Sequence, residues 1–316
     1  MSHPSLYCPV CQQGPAPAWA RARDYEYFST GEEEFTYYHC GHCGTLFIDP
    51  VPVEKLKQIY PPNYYSFVSS SGNMVTRIKE WLDKRFLRKI LRDLPAEKID
   101  VLDVGGGTGW ILDLLKKTDR RVGFTQIADI DEKAKETAIK NGHAYFQGTV
   151  EEFETDRKFH LILMLNLIEH VQYPLLVLKK AASLLHPGGI LLIKTPNTDS
   201  WDARLFRKTY WGGLHCPRHW VIFSEKSFRR VAAQTGLCVK KLEYTQGAPF
   251  WAFSIIAALS RKKIIHTSAQ APVIFHWLFA PLSGLFALFD FLRKPFAKTS
   301  QLFIQLTREE KQEKVC

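Results

Sequence analysis

The sequence predicts an α/β fold with a doubly wound, mostly parallel, seven-stranded sheet. Two observations support this prediction: short apolar runs alternate with helical patterns, and a glycine-rich turn follows the first of these runs. Two segments are added to the sheet, a cysteine-rich N-terminal ribbon and a hydrophobic helical insertion before the last strand. The chain of 316 residues is long enough for one large domain with such additions.

The N-terminal segment carries two close pairs of cysteines, Cys8 with Cys11 and Cys40 with Cys43. Each C-x2-C turn lets two thiolates reach one ion, and two such turns complete a tetrahedral zinc site. Aromatic, strand-like residues separate the pairs, so residues 1–50 are predicted to form a zinc ribbon. Four cysteine ligands leave no open coordination position, so the predicted zinc is structural.

Residues 51–98 are predicted to form a proline-rich linker followed by an amphipathic helix from Met74 to Leu94. Apolar residues recur at helical spacing on one face of this helix, and basic residues occupy the other. The helix could pack on the domain that follows it or lie on an anionic membrane.

The glycine-rich turn contains Asp103, Gly105, Gly107 and Gly109 between an apolar strand and a helix that begins at Trp110. Glycines let a backbone approach a ligand closely, and a helix N-terminus favours acceptor groups. Trp110 stands where the dinucleotide pattern G-x-G-x-x-G has its last glycine. An acidic residue before the turn favours a ligand that carries an ammonium group.

Further strands place polar residues at their carboxyl ends, where open α/β sheets bind ligands. The run from Val122 to Ala128 ends at Asp129, which is predicted to bind a ribose diol, with Asp131 as the alternative. The run from Phe159 to Leu165 is followed by three polar residues, Asn166, Glu169 and His170. Three more strands are predicted near residues 145–150, at 190–195 and at 238–244, and the last one at 301–306.

These segments resemble the class I S-adenosylmethionine-dependent methyltransferases, which have a Rossmann-like fold. The resemblance is carried by four motifs in the family's order, in Val101–Gly109, at Asp129, in Phe159–Val171 and in Leu185–Ile193. It covers residues 75–245. It implies a methyltransferase domain formed by residues 99–246 and 299–308, with S-adenosylmethionine as the cofactor.

The resemblance also implies roles for individual residues. Asp103 and the glycines would hold the methionine part of the cofactor, and Asp129 would hold the ribose. The loop at Thr149 and Val150 would lie over the adenine, where many relatives have an aspartate in place of Thr149. Asn166 is included in the predicted cofactor site.

The predicted acceptor site combines two clusters. Asn166, Glu169 and His170 are similar to the E-x-x-E-H motif with which ubiquinone-pathway O-methyltransferases bind a divalent cation. Because Asn166 replaces the first glutamate, we expect His170 to act as a general base, with Glu169 beside it, rather than a metal site. A role for both residues as a structural brace is the alternative.

The second cluster lies in the segment Trp211–Trp220, which corresponds to an acceptor-lining loop of similar methyltransferases. His219 is a second candidate base, Arg218 a candidate anchor for an anionic acceptor, and Trp211 a candidate substrate contact. 

The ribbon, the proline-rich Pro50–Glu54 and the segment Tyr60–Tyr65 resemble a zinc-ribbon subgroup of bacterial methyltransferases that often act in sugar or surface-polysaccharide pathways. We therefore expect methyl transfer to a hydroxyl of a sugar, nucleotide-sugar or lipid-linked glycan. The alternative is a non-catalytic, cofactor-binding protein that its C-terminal hydrophobic hairpin recruits to a membrane or a partner.

The insertion, residues 247–298, contains two apolar runs, Ala248–Ser260 and Pro272–Leu292, each followed by basic residues. The first run is too short to span a membrane, and Pro281 interrupts the second. We expect a shallow membrane contact with both basic clusters on one side. A lid over the acceptor pocket and a homodimer interface are the alternatives.

The charge of the chain and its N-terminal residues limit the partners and the location that the sequence predicts. The net charge is +10, and residues 261–316 hold nine basic and four acidic side chains, which favours an anionic small molecule or lipid surface. No nucleic-acid-binding motif accompanies this charge, so nucleic acid is not predicted as a partner. The first residues lack the pattern of a secretory signal, so we expect a cytoplasmic protein that is peripheral at the inner face of the cell membrane.

Overall fold

The computed structural model describes residues 6–61 and 74–308. The predicted segment Tyr60–Tyr65 lies partly outside this range. The strands of the described part are β1 Ala18–Ala22, β2 Phe35–His39, β3 Leu46–Ile48, β4 Ile99–Val104, β5 Val122–Asp129, β6 Ala144–Gln147, β7 Phe159–Leu165, β8 Leu185–Pro196, β9 Val221–Ile222, β10 Leu237–Thr245 and β11 Gln301–Arg308. 

Helices connect most of these strands. They are α1 Leu56–Ile59, α2 Met74–Arg92, α3 Trp110–Thr118, α4 Glu132–Lys140, α5 Pro174–Leu184, α6 Trp201–Phe206, α7 Glu225–Ala233, α8 Ala248–Arg261 and α9 Phe279–Arg293. Ser224 caps α7 through a reciprocal hydrogen-bond pair with Ser227.

The central sheet has seven strands in the order β10-β11-β8-β7-β4-β5-β6. Neighbouring strands from β8 to β6 are parallel, and β11 runs antiparallel to both β8 and β10. This is the predicted doubly wound, mostly parallel sheet. Its parallel strands end at one edge, which therefore collects the residues that follow β4, β5 and β7.

The middle strands are buried on both faces, as parallel strands require. In β7, Leu161 and Leu163 join one apolar core with α2, α3 and α4, while Ile162 and Met164 join a second core with α5 and α7. Successive side chains of a strand point to opposite faces, so a continuous apolar run fills both cores at once.

The ribbon forms a second sheet of four strands in the order β1-β2-β3-β9. Its fourth strand comes from far along the chain, with Leu46 opposite Ile222 and Phe47 opposite Val221. The ribbon also shares an apolar core with the central sheet. The described part of the ribbon therefore shares its sheet with the segment that follows the predicted acceptor loop.

A buried ion pair joins the ribbon to that loop. Arg218 and Asp24 are both 0% exposed, and the guanidinium Nη2 donates to the Asp24 carboxylate at 2.8 Å. Arg218 also donates to the carbonyl of Ile59 at 2.6 Å and lies over the ring of Tyr27. Ser29 donates its hydroxyl to Asp24 at 2.6 Å. Burial opposes the ionisation of Asp24, but Arg218 and these hydrogen bonds outweigh burial and lower the pKa of this carboxyl.

Helix α2 follows the predicted span closely, but its apolar face is only partly covered. Ile90 and Leu94 are buried, whereas Trp81 and Leu82 are 58% and 52% exposed. Packing on the following domain, one of the two alternatives for this helix, therefore applies to its C-terminal part.

The insertion forms a pair of antiparallel helices. The N–H of Gly247, before α8, donates to Asp290 near the end of α9, and Trp251 stacks on Phe286. The basic residues that follow α8 and α9 therefore lie at opposite ends of the pair, which corrects the expectation that they share one side. Pro281 lies in the first turn of α9, where no intrahelical N–H is needed, and does not break the helix. 

Candidate functional site

The glycine-rich turn lies at the carboxyl end of β4. Gly105, Gly107 and Gly109 all have positive φ, a backbone conformation that residues other than glycine rarely adopt. A Cβ on Gly109 would also lie 2.5 Å from the ring of His143. The turn thus needs glycine both for its backbone conformation and for the close packing beneath it, and it leads directly into α3.

Asp129, at the end of β5, accepts a hydrogen bond from the N–H of Gly107 at 2.8 Å. The carboxylate that was predicted to bind a ribose therefore lies against the turn. Asp131, its rival, accepts from the N–H of Lys133 and caps α4. Of the two acids, Asp129 is the one that the fold brings to the glycine turn.

Asp103 lies under the turn and is 3% exposed. Among the described residues, its Oδ2 atom has no hydrogen-bond partner. Burial, followed by the nearby charge of Asp129, raises the pKa of Asp103 to about 8. An unsatisfied buried carboxyl beside a second carboxylate suits a cationic or hydrogen-bond-donating ligand, so the residues present fit the implied S-adenosylmethionine.

Thr149 and Val150 follow β6, next to β5. Val150 is buried, while Thr149 is exposed and both its N–H and its hydroxyl bond to the carboxylate of Glu152. Asn166, after β7, is exposed and has a positive φ of 56°. The next residue, Leu167, lies so close to Gly105 that a Cβ there would be 2.9 Å from it. The turn after β7 therefore abuts the glycine turn, three residues before His170.

Beyond the turn after β7 lies a cluster of two imidazoles and one carboxyl group. Ligand atoms of Glu169, His170 and His219 all lie within 4.8 Å of one another, and Glu169 Oε1 is 3.9 Å from His219 Nε2. The His170 and His219 rings meet edge to face with centroids 4.6 Å apart. The structure thus brings together the three residues that the sequence nominated as catalytic from two separate segments.

Backbone carbonyls fix which nitrogen of each imidazole carries the proton. His170 Nδ1 contacts the Arg218 carbonyl at 3.1 Å and the Tyr60 hydroxyl at 2.9 Å, and His219 Nδ1 contacts the Gly213 carbonyl at 2.8 Å. A carbonyl only accepts, so each Nδ1 donates and each Nε2 keeps a lone pair. Both Nε2 atoms can therefore accept a proton. With Glu169 they could equally hold a divalent cation.

Burial sets the protonation of this cluster. It lowers the pKa of His170 to about 3, with His215 contributing, and it places the pKa of His219 well below the usual range. Burial also raises the pKa of Glu169 to about 8, and within the described chain neither of its carboxylate oxygens has a hydrogen-bond partner of ordinary geometry. At neutral pH the cluster therefore holds two neutral imidazoles and a carboxyl that keeps its own proton.

Arg218 and Trp211 have a different environment from the one predicted. Trp211 is fully buried and donates its Nε1–H to Asp202 at 2.7 Å, and the guanidinium of Arg218 is enclosed by Asp24 and backbone carbonyls. Neither side chain presents a surface to an acceptor. Both hold the loop that carries His219.

The four ribbon cysteines form the second cluster of potential metal ligands. All are buried, with Sγ atoms 3.6 Å apart for Cys8 and Cys43 and 3.4 Å apart for Cys11 and Cys40. A tetrahedral zinc site with Zn–S distances of about 2.3 Å places its sulfurs about 3.8 Å apart. The N–H of Val10 also donates to the Cys8 sulfur. The thiols therefore fit a structural zinc ion.

Four residues around the site were not nominated from the sequence. Glu26 accepts from the Tyr210 hydroxyl at 2.7 Å and pairs with His215, and Tyr60 contacts His170. The sequence signal is the alternation of acids with aromatics in Asp24–Tyr27, directly after Arg21 and Arg23. Their partners follow almost two hundred residues later, at no periodic spacing.

Comparison with known proteins identifies the family and the fold. A family model described as "Methyltransferase domain" matches residues 78–242, just over half of the chain. The chain belongs to this methyltransferase domain family. The crystal structure of coclaurine N-methyltransferase bound to N-methylheliamine and SAH has the same fold, with a TM-score of 0.51, 14% identity and coverage of 81% of each chain.

Ubiquinone biosynthesis O-methyltransferases are among the curated relatives. That of Caulobacter vibrioides is 36% identical over 131 residues, 38% of this chain and 50% of that protein. The mitochondrial one of Dictyostelium discoideum is 29% identical over 123 residues, 33% and 37% of the two proteins. The predicted resemblance is confirmed, although the chain spans no more than half the length of these relatives.

The ribbon generates a prediction about zinc. We expect the purified protein to contain about one zinc ion per chain and Cys43→Ser to lose most of it, because a tetrahedral site with three thiolates is incomplete. Elemental analysis after desalting measures the content. Cys238→Ser, at an exposed cysteine of β10, is the matched control. Equal zinc in both variants would show that these thiols hold no metal.

Glu169 generates a prediction about pH. Its carboxyl keeps its proton up to about pH 8 in the folded chain but only to about 4.5 when exposed by unfolding. The stabilisation from the neutral form is therefore complete below pH 4.5 and is lost as pH rises through 8. Relative to Glu169→Gln, the wild-type unfolding free energy should fall by about 1.4 kcal/mol per pH unit between these values. Urea titrations at pH 5, 6.5 and 8 measure it, and a constant difference would refute the buried, neutral carboxyl.

Proposed function

We propose that the protein transfers a methyl group from S-adenosylmethionine to a hydroxyl of a sugar, nucleotide-sugar or lipid-linked glycan. The observation that carries the proposal is the pair of carboxyls at the glycine turn. One of them, Asp103, is buried with an unsatisfied oxygen, and the other, Asp129, faces the turn backbone. Family membership supports the same chemistry.

In this proposal Asp103 lies nearest to the cationic, amino-acid part of the cofactor. Asp129 accepts from the ribose hydroxyls, since a carboxylate retains free lone pairs after its bond to Gly107. Val150 forms the apolar side of the adenine site. Thr149 is engaged by Glu152, so backbone groups of that loop are the groups left to contact the adenine amine.

The histidine cluster supports O-methylation. S-adenosylmethionine, when bound, supplies an electrophilic methyl group on sulfur. When the acceptor hydroxyl takes this methyl group, Nε2 of His170, the partly exposed imidazole, would accept the hydroxyl proton. A neutral imidazole with a low pKa is a weak base. Ionisation of Glu169, within 4.8 Å, would stabilise the imidazolium that forms, and His219 adds a second Nε2 acceptor.

The proposal also includes the chemical class of the acceptor and the location of the protein in the cell. The ribbon's resemblance to methyltransferases of sugar pathways supports a glycan acceptor, and unpaired ribbon thiols fit the reducing cytoplasm. A peripheral contact with the inner face of the cell membrane would bring a lipid-linked acceptor within reach. Trp211 and Arg218 act in this scheme as positioning residues.

Cofactor binding tests the proposal. We expect S-adenosylmethionine to bind in calorimetry and Asp129→Asn to weaken its affinity by at least about tenfold, because hydrogen bonds to a charged group contribute about 1.5–3 kcal/mol. Asp131→Asn, two residues along, is the matched control. It should leave affinity nearly unchanged because asparagine caps α4 as well as aspartate does. Absence of binding to the wild type at high micromolar cofactor would refute the proposed function.

A further inference from the structure

Helix α9 has the reverse of the pattern expected for a surface helix. Leu285, Leu288 and Leu292 are 60%, 57% and 63% exposed, and their spacing places them in one outward stripe. Phe291, beside this stripe, is 72% exposed. The outer surface of α9 is therefore made of large apolar side chains.

The two charged residues of α9 point inward instead. Asp290 is 0% exposed and accepts from the N–H of Gly247 and from Arg293, both at 2.9 Å. Arg293 is 8% exposed and lies over the ring of Trp251. A helix that buries its charges and exposes its leucines is not adapted to water on that face.

Aromatic and basic residues lie at the ends of this surface. Phe275 and Trp277, before α9, are 61% and 75% exposed, and Phe296, after it, is 89% exposed. Exposed lysines lie at both ends of the helix pair, Lys262 and Lys263 after α8 and Lys294 after α9, whereas Lys298 is paired with Asp199. Between residues 247 and 308 the sole acidic residue is the buried Asp290.

We propose that the outward face of α9 is a docking surface for an anionic phospholipid bilayer. The leucines and aromatics would enter the acyl boundary while the lysines contact lipid phosphates. A helix of 15 residues is about 22 Å long, less than the hydrocarbon core of about 30 Å, so it would lie in the interface. No helix of the described chain is long and apolar enough to cross a membrane.

A second copy of the chain is a poorer occupant of this face. A symmetric dimer through α9 would place the lysines of both copies around one contact. The segment offers no exposed acidic residue to pair with them. Like charges around an apolar contact oppose association, whereas an anionic lipid surface satisfies the same lysines.

The docking surface is connected to the histidine cluster. In α8, Ser254 accepts from the N–H of Gly212 at 2.8 Å, and Phe253 packs between Phe279 of α9 and His215. The ring of His215 lies 5.1 Å from that of His219, so side chains in contact connect α9 with the predicted acceptor site. That a docked enzyme receives a lipid-linked acceptor rests on the proposed function, whereas the docking itself does not.

Vesicle flotation of the full chain without cofactor tests the docking surface. We expect it to float with vesicles of phosphatidylcholine and phosphatidylglycerol, less with phosphatidylcholine alone, and less at high salt because lysine contacts are screened. The double variant Leu285→Glu/Leu292→Glu should reduce the bound fraction by at least about tenfold, since each carboxylate would enter the apolar boundary.

The matched control is Ile139→Glu/Leu176→Glu, which adds two carboxylates at sites 53% and 54% exposed on α4 and α5. It should float as the wild type does. Circular dichroism and S-adenosylmethionine titration verify that both variants fold and separate this test from that of the proposed function. Equal flotation of the two double variants would overturn the inference. So would a wild type that fails to float and forms a dimer which Leu285→Glu/Leu292→Glu dissociates.

Discussion

The buried ion pair between Asp24 and Arg218 is the constraint on which the arrangement of the site depends. Two charges held at 0% exposure are stable only while they are paired and fully hydrogen-bonded. Here that requirement fixes the ribbon against the loop that carries His219. The Arg218 carbonyl in turn contacts His170. The zinc ribbon is therefore part of the framework of the candidate active site, which its cysteine motif alone does not predict.

Much of the fold follows from local sequence pattern. The apolar run Phe159–Leu165 becomes β7 with the predicted bounds, since a strand buried on both faces has few polar alternatives. The glycine turn and the caps of α4 and α7 also follow from local rules. What the sequence did not reveal concerns long-range geometry. The two basic clusters were wrongly placed on one side of the hairpin. The pairing of β3 with β9 and the exposure of Trp81 were not predicted, because they depend on packing between distant segments.

The candidate site, like the fold, has one part that follows from local sequence and another that depends on distant segments. Asp103 and Asp129 could be nominated as cofactor-binding residues because they lie at the ends of two neighbouring strands, the first of which leads into the glycine turn. The catalytic nominees His170 and His219 come together as the sequence resemblance implies. Arg218, in contrast, has a side chain suited to anchoring an anionic substrate, but in the structure it is buried in an ion pair. Its partner Asp24 lies in another module, and a sequence alone does not reveal which cation a buried acid will meet.

Hydrogen–deuterium exchange of Asp24→Asn tests the central claim most directly, with Glu154→Gln, at an exposed pair with Lys180, as the control. If the ion pair holds the ribbon on the acceptor loop, loss of the Asp24 charge should accelerate exchange in Trp211–Ile222 as well as in the ribbon, and leave β4 and β5 protected. Faster exchange confined to the ribbon, or none beyond that of Glu154→Gln, would contradict the account.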